Sequence, residues 1–240
     1  MRSPSSRGSH RRSHYRFLHA LSALTPRFFG IGVVGAAFIG LTIAITAGVF
    51  KSLDQQVADA MHSIWQPSLH VLFQAIAELG GIELTTILMV GLAFYLWSAG
   101  FGTDAFAVIV FIAAEGFEIF YRYNLHQPGP PRSIAQADGP SLSELFSGAV
   151  GGNSFPSGHM LRTVIAYGLI AFVILRLSDS ARVRALVVVA AVTIIVLMAF
   201  DRLYLDLHWE SDVIGGLLLG AIALIAGTVW LDRPRRVPHH

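Results

Sequence analysis

Two short polar segments interrupt a largely apolar sequence, and both carry residues suited to phosphoryl transfer. The first, residues 153–159, reads NSFPSGH, and the second, residues 202–212, reads RLYLDLHWESD. Together they supply two imidazoles, a guanidinium, a carboxylate and a Ser-Gly pair. Imidazoles can act as nucleophiles or proton donors, and cations with backbone N–H groups can stabilise phosphoryl oxygens. These segments are therefore the candidate site.

In the first segment, Ser157 and Gly158 begin a predicted helix. The first turn of a helix has unpaired N–H groups and the positive end of the helix dipole, so it attracts an anion. Pro156 restricts the entry to the helix, and Gly158 lets a ligand approach the backbone closely. His159 falls in the same turn, beside any bound phosphate. Taken alone, this short pattern is also compatible with a structural histidine.

In the second segment, Arg202, His208 and Asp212 follow an R-x5-H-x3-D spacing. His208 and Asp212 are four residues apart at the start of a predicted helix, so they share one face. A carboxylate there can accept the Nδ1–H of His208 and leave Nε2 as an outward lone pair that attacks phosphorus. Arg202 can bind two phosphoryl oxygens with its planar guanidinium. The alternative is an interfacial Arg–Asp pair beside a solvated histidine.

The elements that position these segments are expected to be membrane helices. Of the 240 residues, 54% are hydrophobic and only 13% are charged, whereas soluble domains have about 25% charged residues. The net charge is basic, with Lys51 as the only lysine. The arginines lie mostly at predicted helix ends, where they set membrane orientation, and this disfavours nucleic acid as a partner. The absence of cysteine excludes disulfides and thiolate chemistry.

Apolar runs predict an all-α fold, an integral membrane bundle of six transmembrane helices. Between the first two spans, an amphipathic segment at residues 51–67 predicts a short interfacial helix, with Asp54 and His62 on its polar side. A further short helix is expected at residues 68–81. The predicted spans cover residues 28–50, 82–98, 101–121, 158–175, 185–205 and 209–231.

Charged residues at the end of the third predicted span should face the interior of the bundle. Glu115 and Glu118 precede Arg122 there, and charges at that depth are costly on a lipid-facing surface. An internal Glu–Arg pair would satisfy them and would orient Arg122. Arg122 is therefore expected to lie at the same end of the bundle as the two polar segments.

Arginine-rich segments predict the orientation of the chain in the plasma (inner) membrane. A membrane domain at residues 28–231 lies between basic tails at 1–27 and 232–240, and the 176–184 loop is also basic. Six spans place all three basic segments on one side, which the positive-inside rule makes the cytoplasm. Both termini are then cytoplasmic and the candidate site is extracytoplasmic. The long 123–157 loop could be a lid over the site or an inert linker.

These motifs resemble those of the type 2 phosphatidic acid phosphatase (PAP2) superfamily of membrane lipid phosphatases. That family carries K-x6-R-P, P-S-G-H and S-R-x5-H-x3-D motifs. The second is complete at residues 156–159. The third runs from Arg202 to Asp212, with Asp201 in place of the usual serine. The six-span layout is also similar, so the resemblance covers residues 28–231.

The first family motif is degenerate in this chain. When Pro130 is aligned with the proline of the motif, Arg122 stands at the lysine position and Gly129 at the arginine position. Positive charge is therefore kept at the first position and lost at the second. Arg132 on the loop or Arg162 near His159 could supply the missing cation. Arg162 could instead pair with an internal carboxylate.

The resemblance implies a metal-independent reaction through a phosphohistidine, with no cofactor. His208 would be the nucleophile, Asp212 would orient it, and His159 would protonate the leaving oxygen. The groups that would bind the phosphate are Arg122, Arg202, Ser157 and Gly158. An alternative without a phosphohistidine would use His159, His208 and Asp212 as zinc ligands.

The expected function is hydrolysis of a lipid phosphate or pyrophosphate, because a lipid tail can enter from the membrane while its headgroup reaches the polar segments. Phosphatidic acid, phosphatidylglycerol phosphate and polyprenyl pyrophosphates such as undecaprenyl pyrophosphate are candidate substrates. One alternative is a lipid phosphotransferase that uses the same histidine. Another is an inactive lipid-binding or transport protein, which the degenerate first motif would explain. Membrane lipids are the other expected partners, and the sequence does not determine the oligomeric state.

Overall fold

A computed structural model of the chain describes the backbone of residues 7–131 and 153–233 and the side chains of residues 26–131 and 153–233. These residues form helices and connecting loops, with one isolated bridge between Pro128 and Asn153. The prediction of an all-α fold is therefore confirmed for the described part of the chain. Two short 3-10 helices, Glu78–Gly80 and Gly102–Val108, accompany the α-helices. The α-helices are α1 Arg7–Thr46, α2 Lys51–Ile64, α3 Pro67–Ala77, α4 Ile82–Ser98, α5 Ile109–Asn124, α6 Gly158–Leu177, α7 Ala181–Tyr204 and α8 Glu210–Leu231.

Within the described residues, five helical stretches are long and apolar enough to cross a membrane. Their outer faces carry large exposed apolar side chains such as Phe94 and Trp97, which are 73% and 75% exposed. Such faces are stable when lipid covers them. The stretches are Pro26–Thr46, Pro67–Ser98, Gly158–Leu177, Ala181–Tyr204 and Glu210–Leu231.

The predicted third span, residues 101–121, is not one of these five stretches. The chain turns at Gly100, where φ is 82°, and residues 102–108 form a 3-10 helix before α5 begins. The α-helical part of this region is therefore only 16 residues long, and it contains Glu115, Glu118 and Arg122. A total of six spans stays a prediction for this reason.

Helix ends differ from the predicted span ends by a few residues. α1 ends at Thr46, four residues before the predicted end at residue 50, because the chain turns at Gly48 with φ at 74°. α1 also extends back to Arg7, into the segment predicted as a basic tail. α7 begins at Ala181 rather than 185 because Ser180 caps it, its Oγ accepting the N–H of Val183. Caps and turns set these ends, and hydropathy does not detect them.

α6 is the central helix of the bundle, and it packs along both α7 and α8. α8 comes close to α6 near the point where α6 begins. A Cβ built on Gly216 of α8 would lie 2.4 Å from the carbonyl oxygen of Ser157, which is nearer than real Cβ atoms approach. A Cβ on Gly220 would likewise lie 2.9 Å from the Cβ of Val164. These glycines let α8 approach the start of α6 and bring the second polar segment against the first.

The loop that leads into α6 is anchored by Phe155, which is fully buried. Its ring stacks on Phe38 of α1 at 5.7 Å and meets Tyr121 of α5 edge-on at 6.0 Å. Gly215 of α8 lies directly against the same ring, because a Cβ there would be 2.3 Å from it. Packing against three helices fixes this loop and therefore the position of Ser157 two residues later.

Candidate active site

The start of α6 has an unpaired hydroxyl, that of Ser157, at the predicted anion site. Ser157 is the N-cap residue, its backbone is extended, and its N–H donates to the carbonyl oxygen of Asp212 at 3.0 Å. Its side chain is fully buried, and Oγ has no hydrogen-bond partner among the described residues. Buried polar groups in native proteins are nearly always paired, so an unpaired hydroxyl at a helix start indicates a ligand position.

His208 lies in the short connection between α7 and α8, and Asp212 lies in the first turn of α8. Both side chains are buried. Oδ2 of Asp212 accepts the N–H of Trp209 at 2.9 Å and lies 3.5 Å from Nδ1 of His208. The carboxylate therefore faces the ring nitrogen that the spacing predicted, and its other hydrogen bond fixes its orientation. Nε2 of His208 is left on the opposite edge of the ring.

The pKa of His208 is lowered from its ordinary value, chiefly because the ring is buried. The hydrogen bond and negative charge of Asp212 act in the opposite direction, and the positive charges of Arg122 and Arg202 add to the lowering. Burial disfavours the charged form of any imidazole. His208 is consequently neutral at neutral pH, which is the protonation state that a nucleophile needs.

Arg122 lies at the end of α5 and is buried. Its Nε is 2.5 Å from Oε1 of Glu118, one turn earlier in the same helix. Asn153 donates from Nδ2 to the carbonyl oxygen of Arg122 at 2.8 Å. The predicted internal pairing of Arg122 is thus made by Glu118, whereas Glu115 contacts Arg162 of α6 at 3.2 Å. The two acidic residues of α5 therefore pair differently: Glu118 pairs within its own helix, and Glu115 pairs with α6.

Arg202 lies near the end of α7 and is buried beside its neighbour Asp201. Nε of Arg202 donates to Oδ2 of Asp201 at 2.7 Å, and Nη2 donates to the same oxygen. Asp201 occupies the position at which the related motif has serine. The carboxylate fixes the plane of the guanidinium, and Arg202 is close enough to His208 to affect its pKa.

Arg162 lies behind His159, one turn further along α6. Its Nη2 is 3.4 Å from Nδ1 of His159, while Nε donates to the carbonyl oxygen of Gly80 at 3.0 Å and Nη1 to Glu115. A guanidinium has only donors, so Nδ1 of His159 can accept from it only in the tautomer whose ring proton lies on Nε2. Arg162 is therefore engaged with an internal carboxylate, which was one of the two predicted roles. Arg132, the other candidate for the missing cation, lies outside the described residues.

The two histidines belong to one site, because His159 interacts electrostatically with His208, Arg122 and Arg202. Hydrogen bonds join the surrounding chain segments. The indole Nε1 of Trp209 donates to the carbonyl oxygen of Pro128 at 2.8 Å, and Oδ1 of Asn153 accepts from the backbone N–H of Gln127 at 3.1 Å. The end of α5, the start of α6, the end of α7 and the start of α8 thus meet. The predicted site residues brought together there are His159, His208, Asp212, Arg122, Arg202, Ser157 and Gly158.

Gly129 lies at the edge of this site. A Cβ built on it would be 3.5 Å from the Cβ of Ser154 and 4.0 Å from the carbonyl oxygen of Leu207, both ordinary contact distances. The segment that aligns with the first family motif therefore contacts the residues next to Phe155 and His208. The position of the absent arginine is adjacent to the site.

One residue of the site was assigned to the wrong environment from the sequence. Asp54 of α2 was placed on the solvated face of an amphipathic helix, but it is only 4% exposed. Its Oδ1 accepts the N–H of Ser211 and its Oδ2 accepts the hydroxyl of Ser211, both at 2.9 Å. The partner is 157 residues away along the chain, so helical periodicity, which is a local signal, could not reveal the contact.

The zinc alternative requires His159, His208 and Asp212 to be grouped around one point. Among the side chains of residues 26–131 and 153–233, no three His, Asp or Glu residues are grouped so that they could hold a metal ion. Asp212 instead faces Nδ1 of His208 and accepts a backbone N–H, as described above.

Comparisons with known proteins agree with this fold. The sequence model of the PAP2 superfamily matches residues 18–236. Phosphatidylglycerophosphatase B of Bacillus subtilis (strain 168) is 27% identical over 197 residues, which cover 77% of this chain and 86% of that protein. The crystal structure described as the first transmembrane PAP2 type phosphatidylglycerolphosphate phosphatase from Bacillus subtilis superposes with a TM-score of 0.71 at 24% identity. That similarity covers 86% of this chain and 98% of the solved one, and it shows a shared fold.

Proposed function

The chain belongs to the PAP2 superfamily and is a phosphatase of lipid phosphate esters, and we propose that phosphatidylglycerol phosphate is its first candidate substrate. The observation that carries the proposal is the convergence of two buried histidines and two buried arginines at the start of α6. The curated relative named phosphatidylglycerophosphatase B supports this choice of headgroup. Phosphatidic acid and polyprenyl pyrophosphates, including undecaprenyl pyrophosphate, remain candidates of the same chemistry.

In the proposed reaction, Nε2 of His208 attacks phosphorus and forms a P–N bond while the P–O bond to the lipid breaks. His159 acts in its protonated form: Nε2–H gives its proton to the departing oxygen, and the ring is left neutral with its other proton on Nδ1. Water then attacks the phosphohistidine and passes a proton to His159. The P–N bond breaks, inorganic phosphate leaves, and His208 regains its lone pair.

Phosphate binding in this proposal uses charges that are already oriented. Arg122 and Arg202 are held by Glu118 and Asp201, so their guanidinium groups do not have to reorganise when the phosphate arrives. Preorganised cations are worth more than mobile ones in a buried site. The buried hydroxyl of Ser157 and the N–H groups of the first turn of α6 supply further donors.

We also propose that the site lies on the extracytoplasmic side. The far end of α6 carries Arg176, which lies near Asp104 and Asp232, and Arg27 pairs with Asp232 at 2.6 Å. α6 is 20 residues long, so its ends are about 30 Å apart, the thickness of the hydrocarbon core. If the arginine-rich end is cytoplasmic, the site faces outward, and the 3-10 helix with α5 forms the sixth span.

Phosphate release by the purified protein in detergent tests this function. We expect release from phosphatidylglycerol phosphate in a panel that also contains phosphatidic acid and undecaprenyl pyrophosphate. Activity should survive EDTA, since the proposed reaction uses only side chains. Loss of activity with EDTA and its recovery with a divalent cation would contradict the metal-independent reaction. Absence of release from every panel lipid would favour the inactive binding protein, and transfer to an added lipid alcohol in preference to water would favour the phosphotransferase.

The pH dependence of kcat/KM should report the neutral state of His208. Burial lowers the pKa of His208. The fall of kcat/KM at low pH that is due to the enzyme should therefore have its midpoint below the ordinary imidazole pKa of about 6.5. Asp212 raises that pKa, so Asp212→Asn should move the midpoint to still lower pH. The same variant should lower kcat by roughly 10²- to 10⁴-fold, as an orienting carboxylate does in a catalytic triad.

The control for this experiment is Asp59→Asn, since Asp59 is an exposed carboxylate of α2. The substrate phosphate also titrates near pH 6, but it does so equally for every variant, so the difference between variants belongs to the enzyme. A midpoint that moves to higher pH in Asp212→Asn would contradict the assigned pairing of Asp212 with His208.

A further inference from the structure

α2 and the two residues after it contact the end of α7, the connection that carries His208 and the start of α8. These contacts lie on both sides of His208 along the chain. One of them involves Asp206, whose φ of 54° is in the left-handed region and marks a sharp turn two residues before His208. The contacts are Gln66 N–H to Tyr204 Oη at 2.7 Å, His62 Nε2 to Asp206 Oδ2 at 3.1 Å, and the two bonds from Ser211 to Asp54 at 2.9 Å.

The contact between Asp54 and Ser211 is the most buried of these. Ser211 is fully buried and is the second residue of α8. The N–H groups in the first turn of a helix have no partner within the helix, and Trp209 at the N-cap position has no side-chain oxygen that could accept one. Asp54 provides the missing acceptor from a different helix. Its second oxygen binds the Ser211 hydroxyl, so the carboxylate fixes both the backbone and the side chain of this residue.

The residue after Ser211 is Asp212, which has three separate contacts in the site. Its Oδ2 faces Nδ1 of His208 at 3.5 Å and accepts the N–H of Trp209 at 2.9 Å. Its carbonyl oxygen accepts the N–H of Ser157 at 3.0 Å. A shift in the first turn of α8 would therefore change the orientation of His208 and the position of the start of α6 together. Misplacement of about 1 Å can cost about 100-fold in rate.

We propose that Asp54 is a positioning residue for phosphoryl transfer, which holds the first turn of α8 through Ser211 so that Asp212 stays aligned with His208. The proposal rests on the proposed role of His208 as nucleophile. Asp54 does not touch the reacting atoms in this assignment. It acts on kcat through the geometry of Asp212, and substrate affinity, which depends on the arginines and on the lipid tail, should change little.

The test compares Asp54→Ala and Asp54→Asn with the matched control Asp59→Ala. We expect Asp54→Ala to lower kcat for phosphatidylglycerol phosphate roughly 10- to 100-fold, with KM within about twofold of wild type. Asp54→Asn should recover most of kcat, because its amide oxygen still accepts the Ser211 N–H and its amide nitrogen can donate to the Ser211 hydroxyl. Asp59→Ala should resemble wild type, since Asp59 is exposed on the same helix and bonds only Gln55 among the described residues.

Ser211→Ala extends the test, because it removes one hydrogen bond to Asp54 and keeps the backbone N–H, and it can be measured alone if Asp54→Ala does not fold. We expect a smaller loss of kcat, roughly two- to fivefold, and no further loss when it is added to Asp54→Ala, which already lacks the partner of the Ser211 hydroxyl. Additive losses in the double variant would mean that the two residues act independently. That result would overturn the proposal.

A readout that does not depend on phosphatase activity separates this proposal from the proposed function. Amide hydrogen exchange of residues 209–213 should be faster in Asp54→Ala than in wild type and unchanged in Asp59→Ala. Wild-type protein that releases no phosphate from any lipid would refute the proposed function. The exchange rates would still show whether Asp54 holds the first turn of α8 through Ser211. Unchanged exchange, or an active wild type with kcat of Asp54→Ala within twofold of Asp59→Ala, would overturn the role of Asp54.

Discussion

Replacing His208 with alanine should lower kcat for a lipid phosphate by roughly 10⁴-fold or more, because the variant has no atom to form the P–N bond. Removal of a nucleophile in other covalent enzymes has effects of this size or larger. The side chain is buried next to Asp212, and no other histidine has a carboxylate facing Nδ1 in the described site. Steady-state phosphate release measures the effect. His126→Ala is the control, since His126 is an exposed histidine in the segment just after α5.

A second measurement distinguishes loss of the nucleophile from general damage. Rapid quenching of wild-type turnover should trap a phosphoenzyme that is stable to base and labile to acid, as expected for a phosphorus–nitrogen bond, and His208→Ala should form none. KM or the Kd for a lipid phosphate should stay within a few fold, because the arginines remain. Turnover of His208→Ala equal to that of the control would show that a different group attacks phosphorus.

The pairing of charges in this site explains how so many arginines are buried in a membrane protein. An unpaired buried cation is very costly, whereas a hydrogen-bonded pair is tolerated. Each buried arginine of the site has a carboxylate at hydrogen-bonding distance, and the carboxylate comes from the same helix in two of the cases. The pairs are Arg122 with Glu118, Arg162 with Glu115, and Arg202 with Asp201. The arriving phosphate therefore adds to an existing network, and the guanidinium groups are already oriented before it binds.

The local chemistry of the two polar segments could be predicted from the sequence because it depends on short spacings. The i, i+4 relation of His208 and Asp212 and the helix start at Ser157 both follow from helix geometry. The structure places the side chains accordingly. The meeting of the two segments was predicted from topology alone, and the close approach of α8 to Ser157 at Gly216 provides its physical basis.

Contacts between distant parts of the chain could not be predicted. Asp54 was placed on the polar side of an interfacial helix because apolar residues recur at helical spacing on the other side of α2, yet its partner Ser211 belongs to α8. Glu115 and Glu118 looked equivalent beside Arg122, but only three-dimensional packing assigns Glu115 to Arg162 of α6. The third span shows the same limitation. Its composition is apolar enough for a span, but the 3-10 helix at residues 102–108 interrupts the α-helix.

Replacing His159 with alanine should lower kcat for phosphatidylglycerol phosphate by roughly 10²- to 10⁴-fold, the usual contribution of a general acid. The effect should depend on the leaving group. A lipid alcohol departs as a poor leaving group and needs a proton, whereas the phenolate of 4-nitrophenyl phosphate departs without one. Wild type and His159→Ala are therefore compared on both substrates, with initial rates measured at one pH and one detergent concentration.

A general acid at His159 predicts that the variant loses much more activity on the lipid than on the aryl phosphate, by a factor of about ten or more. A histidine that only binds the phosphate would lose the same factor on both, because the phosphoryl group is identical. His70→Ala serves as the control, since His70 lies in α3, outside the group of charges around His208. Equal losses on the two substrates would assign His159 to binding and would leave protonation of the leaving oxygen to water.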